Sequence, residues 1–594
     1  MISLLQQKPL EQHLFFSHYF ALAPNSNKVG TKGACNTSDD QWCRPTRPRT
    51  HMNMGETDVI GVTEDQIINR IGGVHMSKVI HASDAARLVK DNQTIAIGGF
   101  ITYGVPESCL VALQDRYIET KNPKDLTLLH IAAVGDGAEG GANHLGEPGL
   151  CKRMICAHIG LEPRLNQLAV SNQIEAFLIP QGVASHLTRA IAGNKPGVLT
   201  HVGLKTFCDP RLEGCKANEA ARNGGYGIVE PLTVGQKEYL LYKSMPIDIC
   251  FIKGVLADEN GNISLKGEAN ITEQLELAAA THNSGGIVVA EVEKLVQAGT
   301  IPAHEVAVHG FMVDHVVVGD PKYTRQCLAY EGYRPEMCGE LKIPVDEVEP
   351  APFDVRKVIA RRCAFEIHAG QLINLGLGVP DLIGKILAEE GCQDQITLSI
   401  ESGVLGGVSL GGTLLGGSIN PEALCKMPDI FDIYDGGGID AGFLGAAEID
   451  RIGNVNVSKF AGRVVGPGGF INITQNAKKV CFAGTFTAGK SQIEIRDGKL
   501  HILKDGSKLK FKNEVEQVTY SGEYAVEVGQ ESLYITERAV FKLTPDGLLL
   551  TEVAPGVDVE KDILMKMEFR PLISKDLKEM DRRIFLDEKM GLTL

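Results

Sequence analysis

At 594 residues and 64.1 kDa the chain is too long for one hydrophobic core and predicts two or three domains of ordinary size. A formal net charge of −15, with no lysine or arginine cluster, argues against a nucleic-acid partner, and no apolar run approaches the roughly 20 residues of a membrane span. Fourteen cysteines without a C-x-x-C pair read as reduced thiols, which places the chain in the cytoplasm or mitochondrial matrix rather than outside the cell.

Residues 1–75 carry a short apolar patch without a basic flank and no arginine before Arg44, so they read as a poorly ordered or targeting extension. From Val79 helix and strand alternate. Ser83 can cap a helix over residues 83–90, TIAIGGF is a strand entering a glycine turn, Pro106 opens a helix to Thr120, and LTLLHIAAVG is a second strand. A strand over 174–179 and a helix from Gln181 to near Gly193 continue a βαβ rhythm, which implies a parallel sheet. HEVAVH, at residues 304–309, spaces its histidines by five in a strand-like context, whereas ligands on one helix face need four, so no metal is expected.

The second half repeats the first. A helix over 354–369, strand QLINLGLG, a helix opening at Pro380 and strand QITLSI reproduce the opening order. Gly104-Val105-Pro106-Glu107 answers Gly378-Val379-Pro380-Asp381, and GVLADENGNIS from Gly254 answers GAAEIDRIGNVNVS from Gly445. The expected fold class is therefore α/β: two tandem pseudo-symmetric open domains with mostly parallel sheets and β-rich additions at the C-terminus. The expected boundaries are 76–341 and 354–594, joined by an acidic, proline-containing linker at 342–353.

The stretch ITLSIESGVLGGVSLGG, residues 396–412, ends a run of strand formers in Glu401 and then collapses into glycines. Ligands in open parallel sheets gather beyond strand carboxyl ends, so Glu401 lies where chemistry usually happens; the bland alternative is a turn glutamate. Gly403, Gly406 and Gly407 would let a bulky ligand approach while the carboxylate stays partly desolvated. Aligning Leu126 with Ile396 places Ile131 opposite Glu401, so one half brings the acid and the other can complete a cleft between them. The Gly98-Gly99 turn could present amides to an oxyanion or phosphate, or be a tight turn with no ligand.

Other motifs are set aside. GTFTAGKS (484–491) satisfies the Walker A pattern, but SQIEIRDGKLHIL after it alternates as a hairpin does, where a P-loop needs a helix. No G-x-G-x-x-G with a ribose-binding acid appears, nor a G-x-S-x-G elbow, and Ser402 reads as a turn residue.

GGFITYGVPE (98–107), PQGV (180–183), ESGVLGG (401–407), YDGGGID (434–440), GNVNVSKF (453–460), GPGGFINITQNAKK (466–479) and TERAVF (536–541) together resemble a family I CoA-transferase of the branch that fuses both subunits, from Val79 to the C-terminal region. The resemblance implies Glu401 as nucleophile on a short-chain acyl-CoA, an acyl-glutamyl anhydride, then a glutamyl-CoA thioester resolved by an acceptor carboxylate such as acetate or propionate. It implies Gly98 and Gly99 on the acyl side and Gly403, Gly437 and Gly438 along the CoA path. Coenzyme A is then substrate and covalent intermediate, with no tightly bound cofactor, and the assembly is a homo-oligomer without nucleic acid or membrane partners. An acyl-CoA hydrolase on the same scaffold and a catalytically silent CoA-binding protein are the competing readings.

Overall fold

The computed structural model describes residues 78–344 and 350–594; the extension over 1–75 and the middle of the linker lie outside them. The first half supplies α1 (Ala82–Leu88), β1 (Thr94–Ile97), α2 (Glu107–Thr120), β2 (Leu126–His130), β3 (Cys151–Cys156), α3 (Pro163–Val170), β4 (Glu175–Leu178), α4 (Gln181–Ala192), β5 (Ile249–Asp258), α5 (Gln274–Asn283), β6 (Ile287–Val296) and β7 (His315–Val318). These seven strands pair in parallel in the order β7-β6-β5-β1-β2-β3-β4.

The second half supplies α6 (Val355–Ala364), β8 (Leu372–Leu375), α7 (Asp381–Glu390), β9 (Thr397–Ile400), α8 (Met427–Asp435), β10 (Ala441–Leu444), α9 (Phe470–Asn476), β11 (Lys479–Ala483), β12 (Glu531–Ile535), β13 (Ala539–Thr544), β14 (Gly547–Val553) and β15 (Leu572–Glu579). Strands β9-β8-β10-β11-β12 are parallel, and β13 and β14 then add antiparallel, giving the β-rich C-terminal side. The repeat seen in sequence is thus a repeat of topology. β2-β1-β5-β6-β7 and β9-β8-β10-β11-β12 are the same doubly wound order, with direction reversing beside the first strand of each half.

These strands form because their residues are apolar on both faces, as helix-covered parallel sheets require: all five residues of β2 and of β4's run into Ile179 are buried or nearly so. Departures from expectation are local. α1 begins at Ala82 with His81 at its N-cap and no side-chain cap, so Ser83 is inside the helix. α6 is capped by the Asp354 carboxylate, which accepts from the Arg356 and Lys357 amides, and it ends at Ala364, five residues short of the expected end. HEVAVH is a 3-10 turn followed by the strand Val306–Val308. GTFTAGKS leads into an antiparallel hairpin, Gln492–Arg496 against Lys499–Lys504, whose turn residues Asp497 and Gly498 have φ of 55° and 71°.

Both halves share one hydrophobic core: Leu110, Phe177 and Val183 belong to the same buried cluster as Phe431, Phe470 and Ile473. A second cluster, with Ile359, Ile383 and Phe585, belongs to the second half alone. No helix among the described residues is long and apolar enough to cross a membrane.

Candidate active site

Glu401 is the first residue past β9, next to the point where strand order reverses at β8. Its carboxylate makes no hydrogen bond and no ion pair with any described residue, and burial alone pushes it up to about 7. The wall beside it is Gly469, at the start of α9: a Cβ there would lie 2.6 Å from Glu401 Oε2 and 3.4 Å from the Phe431 ring. Any side chain at Gly469 would displace the carboxylate. Phe431 packs edge-on to Tyr434 at 5.5 Å, and the Tyr434 hydroxyl is pushed well above its usual range by burial, with the Glu401 charge adding to the effect. Asn374 of β8 donates to the Tyr434 hydroxyl and to Ser399 O, both at 3.1 Å, which fixes the ring.

The first half closes the site from two sides. In its loop after β1, Thr102 donates to Thr413 O at 2.8 Å and Tyr103 to Leu414 O at 2.9 Å, while Phe100 lies against Gly416 so closely that a Cβ there would sit 2.5 Å from its ring. Ser402, whose hydroxyl donates to Gly416 O at 2.9 Å, links that loop to Glu401 and is a turn residue. On the other side Gln181 N donates to Gly468 O, Gly468 N donates to Ala157 O and Gly182 N donates to Asn472 Oδ1, at 2.9, 2.9 and 3.0 Å.

The glycines expected at the site have reasons of their own. Gly403 has φ +103° and a Cβ there would be 2.2 Å from Cys425 O; Gly406 and Gly407 face Glu422 and Ile419 O as closely. These three therefore admit the chain's own neighbouring segments, and the expected open approach for a ligand is not found at them. The Gly98 amide donates to Phe251 O at 3.0 Å and the Gly99 amide to Glu273 Oε1 at 3.2 Å, so in this conformation both are engaged rather than free. Gly437 and Gly438 close the C-terminus of α8, donating to Tyr434 O and Ile433 O; a Cβ at Gly438 would meet Ile433, one at Gly437 would meet nothing within 4 Å.

Sequence reasoning missed Gly469, Phe431, Asn374 and Glu273. Gly469 lies in a quoted motif, but nothing in the string says that it faces Glu401. Glu273 has its second oxygen unpartnered and is pushed up to about 8 by burial.

A half-buried carboxylate at a strand end, without a cationic partner among the described residues and walled by a glycine from the next helix, thus sits on a pair of doubly wound sheets. The sequence profile of the Coenzyme A transferase family matches residues 79–319. The chain is 44% identical to caffeate CoA-transferase of Acetobacterium woodii, over 87% of this chain and 99% of that protein, and 40% identical to acetate CoA-transferase YdiF of Escherichia coli K12, over 87% and 96%. The crystal structure of the acyl-CoA transferase YdiF apoenzyme from Escherichia coli O157:H7 superposes with a TM-score of 0.83 at 39% identity, covering 87% of this chain and 98% of that one, and its thioester complex with CoA with 0.81. The chain belongs to the CoA-transferase family and is an enzyme of that class.

Proposed function

We propose that the enzyme moves CoA from a short-chain acyl-CoA to a short-chain carboxylate such as acetate or propionate, through a glutamyl-CoA thioester on Glu401. The observation that carries this is the half-buried Glu401 carboxylate, which has no hydrogen-bond or charge partner among the described residues. A carboxylate oxygen attacks the thioester carbonyl, the C–S bond breaks and CoA leaves as thiolate. The thiolate attacks the glutamyl carbonyl of the resulting anhydride, expelling the donor acid and leaving CoA on Glu401; the acceptor carboxylate runs both steps in reverse. No proton changes hands, which suits a site without an acid–base pair at the nucleophile.

Removing water from a carboxylate raises its reactivity, and the absence of a lysine or arginine partner keeps its electron pair available. Each tetrahedral intermediate needs donors. The Gly469 amide, on the glycine that faces the carboxylate and without a partner among the described residues, is one such donor. Gly98 and Gly99 could serve on the acyl side only after Glu273 and Phe251 O release them, and Gly437 retains room for a passing CoA. The thioester complex with CoA described for YdiF supports the covalent intermediate.

Glu401→Ala should abolish exchange and borohydride-sensitive labelling with acetyl-CoA; a variant that turns over normally removes the nucleophile assignment. Release of free CoA with and without acetate separates transfer from hydrolysis, since strict dependence on the carboxylate marks transfer. Initial rates over acetate, propionate, butyrate, lactate and caffeate test the acyl class.

A further inference from the structure

Among the described residues only two β-branched side chains stand at positive φ, Ile101 at 54° and Thr272 at 52°. They lie on the two sides of one contact, the hydrogen bond from the Gly99 amide to Glu273 Oε1 at 3.2 Å. A β-branched residue in the left-handed region is strained and persists only where its surroundings fix it, and such strain gathers at functional sites.

Thr272, Glu273 and Gln274 are all buried, and each is tied to a different piece of the site. Thr272 O accepts at 3.0 Å from the amide of Met427, the first residue of α8, the helix that carries Phe431. Gln274 Nε2 donates to Gly104 O at 3.1 Å and to Thr272 Oγ1 at 2.9 Å, and its Oε1 accepts from the Lys253 amide at 3.0 Å. A Cβ at Gly98 would lie 2.4 Å from that oxygen. Gln274 thus braces both ends of the turn from Gly98 to Gly104, and Glu273 holds Gly99 between them.

Glu273 occupies the N-cap position of α5, yet its side chain does not cap that helix. It turns to Gly99 instead and leaves Oε2 without a partner, at no exposure to solvent. A buried carboxyl with one oxygen orphaned is a costly way to satisfy a single amide, which points to a use beyond stability. Burial pushes the group up to about 8, so near neutrality it is mostly the uncharged acid and Oε1 accepts as an amide oxygen would.

We infer that Glu273 is a positioning residue for the transfer: by holding the Gly99 amide it fixes the strained turn, and with it Phe100, against the loop that follows Glu401. The inference rests on Glu401 as the nucleophile. Phe100 lies against Gly416, whose carbonyl accepts from Ser402, the neighbour of Glu401. A Gly99 peptide without its acceptor lets Ile101 relax out of the left-handed region and carries Phe100 off Gly416, which spoils the approach of the acyl carbonyl to the carboxylate. In this reading the Gly99 amide stays on Glu273, and its share in the chemistry is the place it gives Phe100.

The test uses the full-length enzyme with acetyl-CoA as donor and propionate as acceptor. Glu273→Gln keeps an accepting oxygen, whereas Glu273→Met keeps the bulk and removes it. In Glu273→Met kcat should fall about thirtyfold with KM for acetyl-CoA within about twofold of wild type, and Glu273→Gln should keep kcat within about threefold. Hydrogen–deuterium exchange in the peptide that holds Gly99 should quicken in Glu273→Met and not in Glu273→Gln. Equal losses in the two variants, an unchanged kcat in Glu273→Met, or a raised KM with kcat kept each overturn the inference. Where Glu273→Met is not recovered folded, Glu273→Asp, whose carboxyl falls one methylene short of Gly99, is read in its place with the same outcomes. Acid-quenched mass spectrometry separates the two readings: wild-type enzyme without a CoA adduct on Glu401 sinks the nucleophile, whereas an adduct that forms at the wild-type rate in the variant sinks Glu273 alone.

Discussion

At Glu401 the fold favours the protonated acid, because burial penalises the charge and no cation offsets it. Reaction needs the carboxylate. Initial kcat/KM for the acyl-CoA should therefore rise about tenfold per pH unit below about 7 and level off above it, and a flat profile from pH 5 to 9 would contradict the assignment. The same shift acts on stability with the opposite sign. With the folded value raised above the ordinary 4.5, the stabilising contribution is complete below that value and is lost as pH rises through about 7. Glu401→Gln should thus melt higher than wild type at pH 8, by something on the order of 1–3 kcal/mol, and show little difference at pH 4.5 while losing turnover at both. The sequence revealed the position of this residue because a strand end is a local pattern. It did not reveal Gly469 or Phe431, since their role is to lie opposite Glu401 in space, from segments 30 and 68 residues further on.

Helices and strands were legible wherever an apolar run or a capping residue marked them, as with Pro106, Asp354 and the run LTLLH. The glycines were legible as glycines and misleading as to purpose: whether one faces a ligand or the chain's own backbone depends on what the fold brings opposite. Gly466 is such a case, with φ +95° and a would-be Cβ 2.4 Å from Ala157 O, so it sets how closely the segment before α9 approaches β3's end. Gly466→Ala should cost roughly 2–4 kcal/mol in denaturant unfolding, by strain and by separating the two elements, and should lower activity in parallel. Arg362 pins α6 to β14 through two bonds to Glu552 at 2.8 and 2.6 Å, with a third to Glu366 at 2.6 Å. Truncation leaves Glu552 without its partner, so Arg362→Ala should destabilise by on the order of 3 kcal/mol, seen as a lower melting temperature.

For the molecule as a whole, tandem duplication was readable in sequence because both halves spell the same strand order. The depth of their union was not, because a shared core is made of side chains far apart in the chain. With Leu110, Phe177, Phe431 and Phe470 in one buried cluster, segments 76–341 and 354–594 expressed separately should each aggregate, and coexpression should recover a soluble, active complex. Soluble, independently melting halves would show that the common core matters little. The duplication is also lopsided, since Ile131 occupies in one half the alignment position that Glu401 holds in the other. Stoichiometry follows from that imbalance: whatever the number of chains in the particle, titration with radiolabelled donor should saturate at a single equivalent per 64.1 kDa, never two.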